Sequence, residues 1–306
     1  MQSETLRIGD TLVSVSRTIS EKSTKQLQLV QTSQNGENMI VKRILVRSEE
    51  DERRILLELE IYRSVKHMNL IPLIDYDEIR SGQTESLFLF PYFDRGNLWN
   101  AIVAAKSSSS PLWPFTQRVA LHLFHGICSG VLSLHRAGYC HMALSPQCIL
   151  LSASSSMGED YLSCIPIITK MDHCFVSGAT NSHHQASLDA QGGRERGRNL
   201  NNYTAPEISD PSGDALLDGQ SDIWSLGCIL YAMAFGAELI DYLSQNADGE
   251  YKSVEFPSES ANGTRNRNAV FTQEFCEFIR DMVAYKAEER PTILDVLEFT
   301  TELLNG

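Results

Sequence analysis

The sequence predicts an α+β chain in two lobes: a small β-rich lobe with one main helix at residues 1–93, and a larger, mostly helical lobe at residues 94–306. Three observations predict it. Short runs of β-type residues, separated by turn formers, fill the first part of the chain. One stretch within that part repeats apolar residues at helical spacing. After residue 93 the texture changes to long helical patterns, and 306 residues are enough for one large domain or two lobes.

The first strands are expected at Leu12-Val13-Ser14-Val15, at Gln26 to Val30 and at Met39 to Leu45, with a turn-rich break at Gln34-Asn35-Gly36-Glu37-Asn38. Ser48-Glu49-Glu50-Asp51 then opens a helix with the negative charge that a helix N-terminus favours. Ile55, Leu59, Tyr62 and Val65 give that helix one apolar face. Two more strands are read at Leu70 to Tyr76 and Ser86 to Phe90. Beyond Pro91 to Asn97, helices are expected over Leu98 to Ala105, Phe115 to Ala137, Asp222 to Phe235, Thr272 to Tyr285 and Ile293 to Leu304. Loops are expected at 106–111, about 176–202 and about 245–268.

A formal net charge of −13 argues against nucleic acid as a partner, because phosphate-backbone binders need a basic surface. The seven cysteines form no C-x-x-C pair, so reduced thiols in a cytoplasmic protein are the expectation. The polar N-terminus has no signal-peptide core, and Gln2 stands where N-myristoylation needs glycine, so no direct membrane anchor is expected. The run Ile223 to Ala237 is too short to span a bilayer and reads as a buried helix. Asn262-Gly263-Thr264 matches a glycosylation sequon and reads as a plain loop.

The stretch that carries chemistry is His141-Met142-Ala143-Leu144-Ser145-Pro146-Gln147-Cys148-Ile149-Leu150-Leu151. It has the outline of the protein-kinase catalytic loop, H-R-D-L-K-P-x-N-I-L-L. Ala205-Pro206-Glu207, Asp222-Ile223-Trp224 and Arg290-Pro291 match further kinase motifs, A-P-E, D-x-W and the arginine that pairs with the A-P-E glutamate. On these residues the chain resembles the eukaryotic protein kinase superfamily over nearly its whole length. The phrases Phe93 to Asn100, Gly126 to Gly130 and Ser221 to Met233 are most similar to the Numb-associated kinase family, in its myristoylated-and-palmitoylated branch. The resemblance implies a bilobal protein-kinase-like fold with His141, Glu207, Asp222 and Arg290 in structural roles.

It also implies a nucleotide site, which here is altered. Lys42 and Glu58 fall at the N-lobe ion pair, read first as a structural salt bridge and second as a phosphate clamp. Ile40 and Leu150 fall at the adenine slot, and Ile40 is larger than the expected alanine. The added bulk costs roughly 1–3 kcal/mol if the slot cannot relax. Residues 19–27, where a glycine-rich loop belongs, contain no glycine. The D-F-G magnesium motif reads Asp172-His173-Cys174. In the catalytic loop Met142, Ala143, Ser145 and Cys148 replace the Arg, the base Asp, the phosphate Lys and the metal-binding Asn. Met142 cannot receive an activation-segment phosphate, although Ser177, Thr180, Ser182 and Ser187 are available.

Losing one such group typically costs about 10²–10⁴ in rate. The expectation is therefore a pseudokinase: not an enzyme, with no catalytic residue, no metal and no cofactor, ATP and Mg²⁺ being disfavoured. It would serve as a scaffold or allosteric regulator for a protein partner such as an active kinase or a trafficking factor. The alternative is an active or weakly active serine/threonine protein kinase that binds ATP through Lys42, Glu58 and Asp172 by a non-standard mechanism. A zinc or redox site at Cys148, Asp172, His173 and Cys174 is a minor reading, since their spacing matches no metal motif. Arg194, Arg196 and Arg198 read as a solvated loop or a contact for an acidic partner.

Overall fold

Alternation of apolar and polar residues at period two builds the first part of the chain into one antiparallel sheet. Its strands are β1 (Thr5–Ile8), β2 (Thr11–Glu21), β3 (Lys25–Thr32), β4 (Asn38–Leu45), β5 (Asp75–Ser81) and β6 (Gln83–Pro91), in spatial order β1-β2-β3-β4-β6-β5. The structure, a computed structural model, describes residues 4–22, 24–110, 112–153, 161–180, 202–209, 216–245, 251–256 and 271–306. The chain divides into two compact units, Met1–Asp94 and Arg95–Gly306.

In the first unit one face of the sheet buries Leu6, Ile8, Val13, Val30, Val41, Leu87 and Leu89 as a single cluster. Strand β1 was not anticipated from the sequence, and it supplies two of those residues. It also ties the two sheet edges together. The Gly9 and Asp10 amides donate to Asp77 Oδ2 and Asp75 Oδ2 at 3.2 and 3.1 Å. Gly9 sits at φ +54°, and a Cβ there would lie 2.1 Å from Asp75 Oδ1.

Helix α1 (Glu49–Ser64) covers the other face. Ser48 caps it through a reciprocal box with Asp51. Tyr62 packs on Phe88 and Phe90 of β6, with ring centroids 6.3 and 5.3 Å apart. The strand expected at Leu70 to Tyr76 instead begins at Asp75. Pro72 has no N–H to give a ladder, and only Ile74 of the preceding stretch donates to Leu89 O.

The second unit contains α2 (Leu98–Ser107), α3 (Gln117–Arg136), the short α4 (Pro206–Ser209), α5 (Gln220–Phe235), α6 (Gln273–Met282) and α7 (Ile293–Asn305). Thr116, Thr272 and Thr292 cap α3, α6 and α7 by accepting from amides three residues on. α5 is buried on every side from Ser221 to Ala234, as suits a helix apolar all round. Phe278 joins its neighbours by packing on Phe124 of α3 and Phe299 of α7. Gly236 ends α5 at φ +63°, against the Trp113 ring.

Short strand pairs hold the loops of this unit. β7 (Tyr139–Cys140) pairs with β10 (Phe175–Val176), and β8 (Ile149–Ala153) with β9 (Cys164–Ile168). β11 (Ala179–Thr180) pairs with β12 (Leu216–Leu217). The expected loop at 245–268 contains a strand, β14 (Tyr251–Val254), which pairs with β13 (Leu243–Gln245). Ser182, Ser187, the Arg194, Arg196 and Arg198 cluster and the sequon at Asn262 lie outside the described residues. No helix among the described residues is long and apolar enough to cross a membrane.

Candidate functional site

In the first unit the pleat of β4 decides what Lys42 meets. Val41 turns into the buried cluster, so Ile40 and Lys42 turn to the opposite face, which α1 covers. Lys42 lies opposite Leu27 and Phe88, and Ile40 opposite Leu29 and Phe90. The Lys42 ammonium donates to both Glu58 oxygens, at 2.7 and 2.9 Å, and sits 5.3 Å from the Phe88 ring centroid. Glu58 is 1% exposed, so the pair is formed away from water. Of residues 19–27, those at 19–21 lie in β2 and those at 25–27 in β3, and the two strands pair. Glu21 pairs with Gln26, and the Lys22 amide donates to Lys25 O. Those amides serve the ladder, whereas a glycine-rich loop leaves its amides free for phosphate.

In the second unit the organising group is Asp222, fully buried in α5. Its Oδ1 accepts from the Met142 amide at 2.8 Å. Its Oδ2 accepts from the His141 amide at 2.7 Å and lies 2.9 Å from His135 Nε2. Burial pushes this carboxyl up, but the hydrogen bond and charge of His135, with help from His141, hold it below the ordinary range. The clamp holds Met142 at φ +62°, a left-handed conformation rare for a residue with a side chain. His135 was missed in the sequence. Its only signal was a histidine in the last turn of the helix that precedes the catalytic-loop stretch.

His141 is buried, accepts from the Ala143 amide at Nδ1 and therefore donates from Nε2 to Thr169 O at 2.8 Å. Burial keeps it neutral by lowering its pKa. Cys148 is buried and bonded to Ser145 in both directions: its thiol donates to Ser145 O at 3.0 Å, and the Ser145 amide donates to its sulfur at 3.2 Å. Burial raises this thiol's pKa, which keeps the proton in place. Ala143 is half-buried and Ser145 almost fully buried, while Leu150 sits half-buried in β8, bridged to Asn97. Asp172 lies half-buried in a single 3₁₀ turn, Met171–His173, that starts after Lys170.

Glu207 and Arg290 complete the frame of this unit. Arg290 Nη1 and Nη2 donate to the two Glu207 oxygens at 2.7 and 2.9 Å. Its remaining donors reach Ala284 O, Gln220 O and Tyr285 O, so all five guanidinium N–H groups are used. Ser221 Oγ donates to Glu207 as well.

These residues do not fit a magnesium ion. A hard cation takes oxygen ligands. The position that should supply one offers a buried, protonated thiol already bonded to Ser145, which leaves Asp172 as the one motif carboxylate. Among the described residues Cys148, Asp172, His173 and Cys174 do not gather as a ligand cluster. His135, Cys140 and Asp222 do, with ligand atoms within 4.8 Å of one another. Asp222 is committed there to two amides and an imidazole, and burial pushes the Cys140 thiol up to about 12.

The protein kinase domain family matches residues 23–300. Serine/threonine-protein kinase 16 of Rattus norvegicus and of Homo sapiens are each 28% identical over 276 residues, covering 87% of this chain and 82% of the relative. A probable serine/threonine-protein kinase of Dictyostelium discoideum is 29% identical over 301 residues, covering 96% of this chain and 25% of its own length. These findings overturn the expectation of a pseudokinase that is not an enzyme: relatives that align over most of the chain are named as serine/threonine-protein kinases.

Proposed function

The chain belongs to the protein kinase domain family, and from that premise we propose that it is a slow serine/threonine protein kinase. By motif position it contacts ATP through Lys42, which Glu58 holds, and it works without a catalytic-loop base. The observation that carries this is the buried Lys42–Glu58 pair, closed at 2.7 and 2.9 Å. In protein kinases a lysine–glutamate pair of this kind positions the α- and β-phosphates of the nucleotide. The frame around the catalytic loop is likewise retained, through Asp222, His141 and the Glu207–Arg290 fork. The motif phrases support a place in the Numb-associated branch.

In the step itself the substrate hydroxyl oxygen bonds to the γ-phosphorus. The bond from that phosphorus to the β–γ bridging oxygen breaks, and ADP leaves with the electron pair. Ala143 cannot accept the hydroxyl proton, which passes to a γ-phosphoryl oxygen or to water. Loss of a positioned base costs about 10²–10⁴ in rate. Set against about 1–100 s⁻¹ for kinases, turnover of about 10⁻⁴–1 s⁻¹ follows.

The test is transfer of labelled γ-phosphate to a serine/threonine protein substrate, measured for the wild type and Lys42→Met. The expected result is slow transfer that Lys42→Met abolishes. Absence of transfer by the wild type, or transfer that survives Lys42→Met, refutes the reading.

A further inference from the structure

We propose that this chain holds the phosphate tail of its nucleotide on the ammonium of Lys170 and not on a divalent cation. The inference rests on the nucleotide-binding reading above and concerns how the phosphate charge is met. It starts from a disagreement. The motif positions that should ligate magnesium offer a thiol bonded to Ser145 and a single carboxylate, Asp172. The phosphate charge therefore needs another cation.

Lys170 stands at that place. The Thr169 amide and hydroxyl both donate to Cys148 O, each at 2.9 Å, and Thr169 O accepts from His141. Asp172 follows two residues later, and the His173 amide donates back to Lys170 O. The Lys170 backbone is thus pinned between the catalytic-loop residues and Asp172. It is held at φ +66° and ψ +46°. Only Lys170 and Met142 adopt a positive φ among the described non-glycine residues, and Asp222 explains Met142. A left-handed conformation is unfavourable for a residue with a side chain and persists where its surroundings impose it.

The side chain is exposed, and among the described residues no carboxylate lies within ion-pair distance of its ammonium. Its charge nevertheless reaches inward, acting to lower the pKa values of both buried Cys148 and buried His141. A lysine ammonium is a compact cation with three donors, suited to phosphate oxygens. Carrying one charge where a metal carries two, it gives modest affinity and no dependence on Mg²⁺.

The experiment measures the dissociation constant of a fluorescent ATP analogue in EDTA and in millimolar Mg²⁺. The proteins are the wild type, Lys170→Met, Lys170→Arg and Lys170→Gly, with adenosine as a phosphate-free competitor. The wild type is expected to bind equally in both buffers, within about twofold. Lys170→Met is expected to weaken metal-free ATP binding by about tenfold or more, the size of one charge-assisted hydrogen bond. It should leave adenosine competition unchanged, and Lys170→Arg should restore ATP binding. Lys170→Gly removes the charge and the left-handed cost together. It should raise the thermal midpoint while losing ATP affinity, which separates the contact from folding.

Tightening of the wild type by Mg²⁺ of tenfold or more overturns the inference and leaves nucleotide binding standing. So does unchanged metal-free binding by Lys170→Met. A wild type that binds ATP in neither buffer overturns both readings together.

Discussion

Replacing Arg290 by alanine removes a side chain that spends every donor it has. The change strips Glu207 of its forked partner at 2.7 and 2.9 Å and leaves three backbone carbonyls, of Ala284, Gln220 and Tyr285, each short of a donor. Arg290 is only 4% exposed, so water does not readily replace it. Breaking a buried pair by removing one partner costs about 3–5 kcal/mol. A domain of about 150–250 residues shifts its midpoint by about 2–4 °C per kcal/mol, which puts the expected fall at roughly 6–20 °C.

Scanning calorimetry on the wild type, Arg290→Ala, Glu207→Ala and the double variant measures it. Contacting partners should couple, so the double variant should lose less than the sum of the single changes. Arg290→Lys should fall between wild type and Arg290→Ala, keeping the charge with three donors in place of five. The pH dependence has a definite sign. Burial pushes the Glu207 carboxyl up, but its bonds to Arg290 outweigh this and leave it below its ordinary value. The stability it contributes is complete above the unfolded carboxyl pKa and is lost as pH falls through the lower folded value. An Arg290→Ala protein that melts within about 2 °C of wild type would refute the reasoning, because that shift corresponds to roughly 1 kcal/mol.

Two other outcomes follow from the geometry. His135→Ala removes one of three groups bonded to the buried Asp222 carboxylate, and should destabilise by about 1–3 kcal/mol in urea titrations. No measurable change would mean that the two amides alone satisfy Asp222. Gly9→Ala drives a Cβ into the Asp75 carboxylate at a left-handed position, and a loss of about 1–3 kcal/mol is expected from the combined steric and conformational cost. Faster hydrogen exchange at the amides of Leu6 and Ile8 is the specific sign, since β1 is what the Gly9 turn ties down.

The elements were legible wherever a period was long enough to read. Val41 against Ile40 and Lys42, or Leu87 and Leu89 against Phe88 and Phe90, are alternations that settle which side chains share a face. β1 was not legible because Thr5–Ile8 completes only two alternations, and its burial depends on strands that lie far along the chain. The strand start at Asp75 turned on one missing N–H at Pro72, which a run of apolar residues conceals. In the site, substitution of the catalytic-loop residues is plain from the letters. What those replacements do to one another is not. That the Cys148 thiol closes on Ser145, or that His135 reaches Asp222 across 87 residues, depends on distances that no spacing encodes.

The sequence by itself determined the class of fold, the main helices, the longer strands of the first lobe, and the residue types standing at each chemical position. These follow from local periodicity and covalent identity. Only the tertiary structure decided that Lys42 and Glu58 meet, that one carboxylate holds two amides and an imidazole, and that Lys170 stands exposed in a left-handed turn between His141 and Asp172. Hydrogen bonds act over about 3 Å, and partners at that distance are chosen by the packing of whole elements rather than by neighbouring letters.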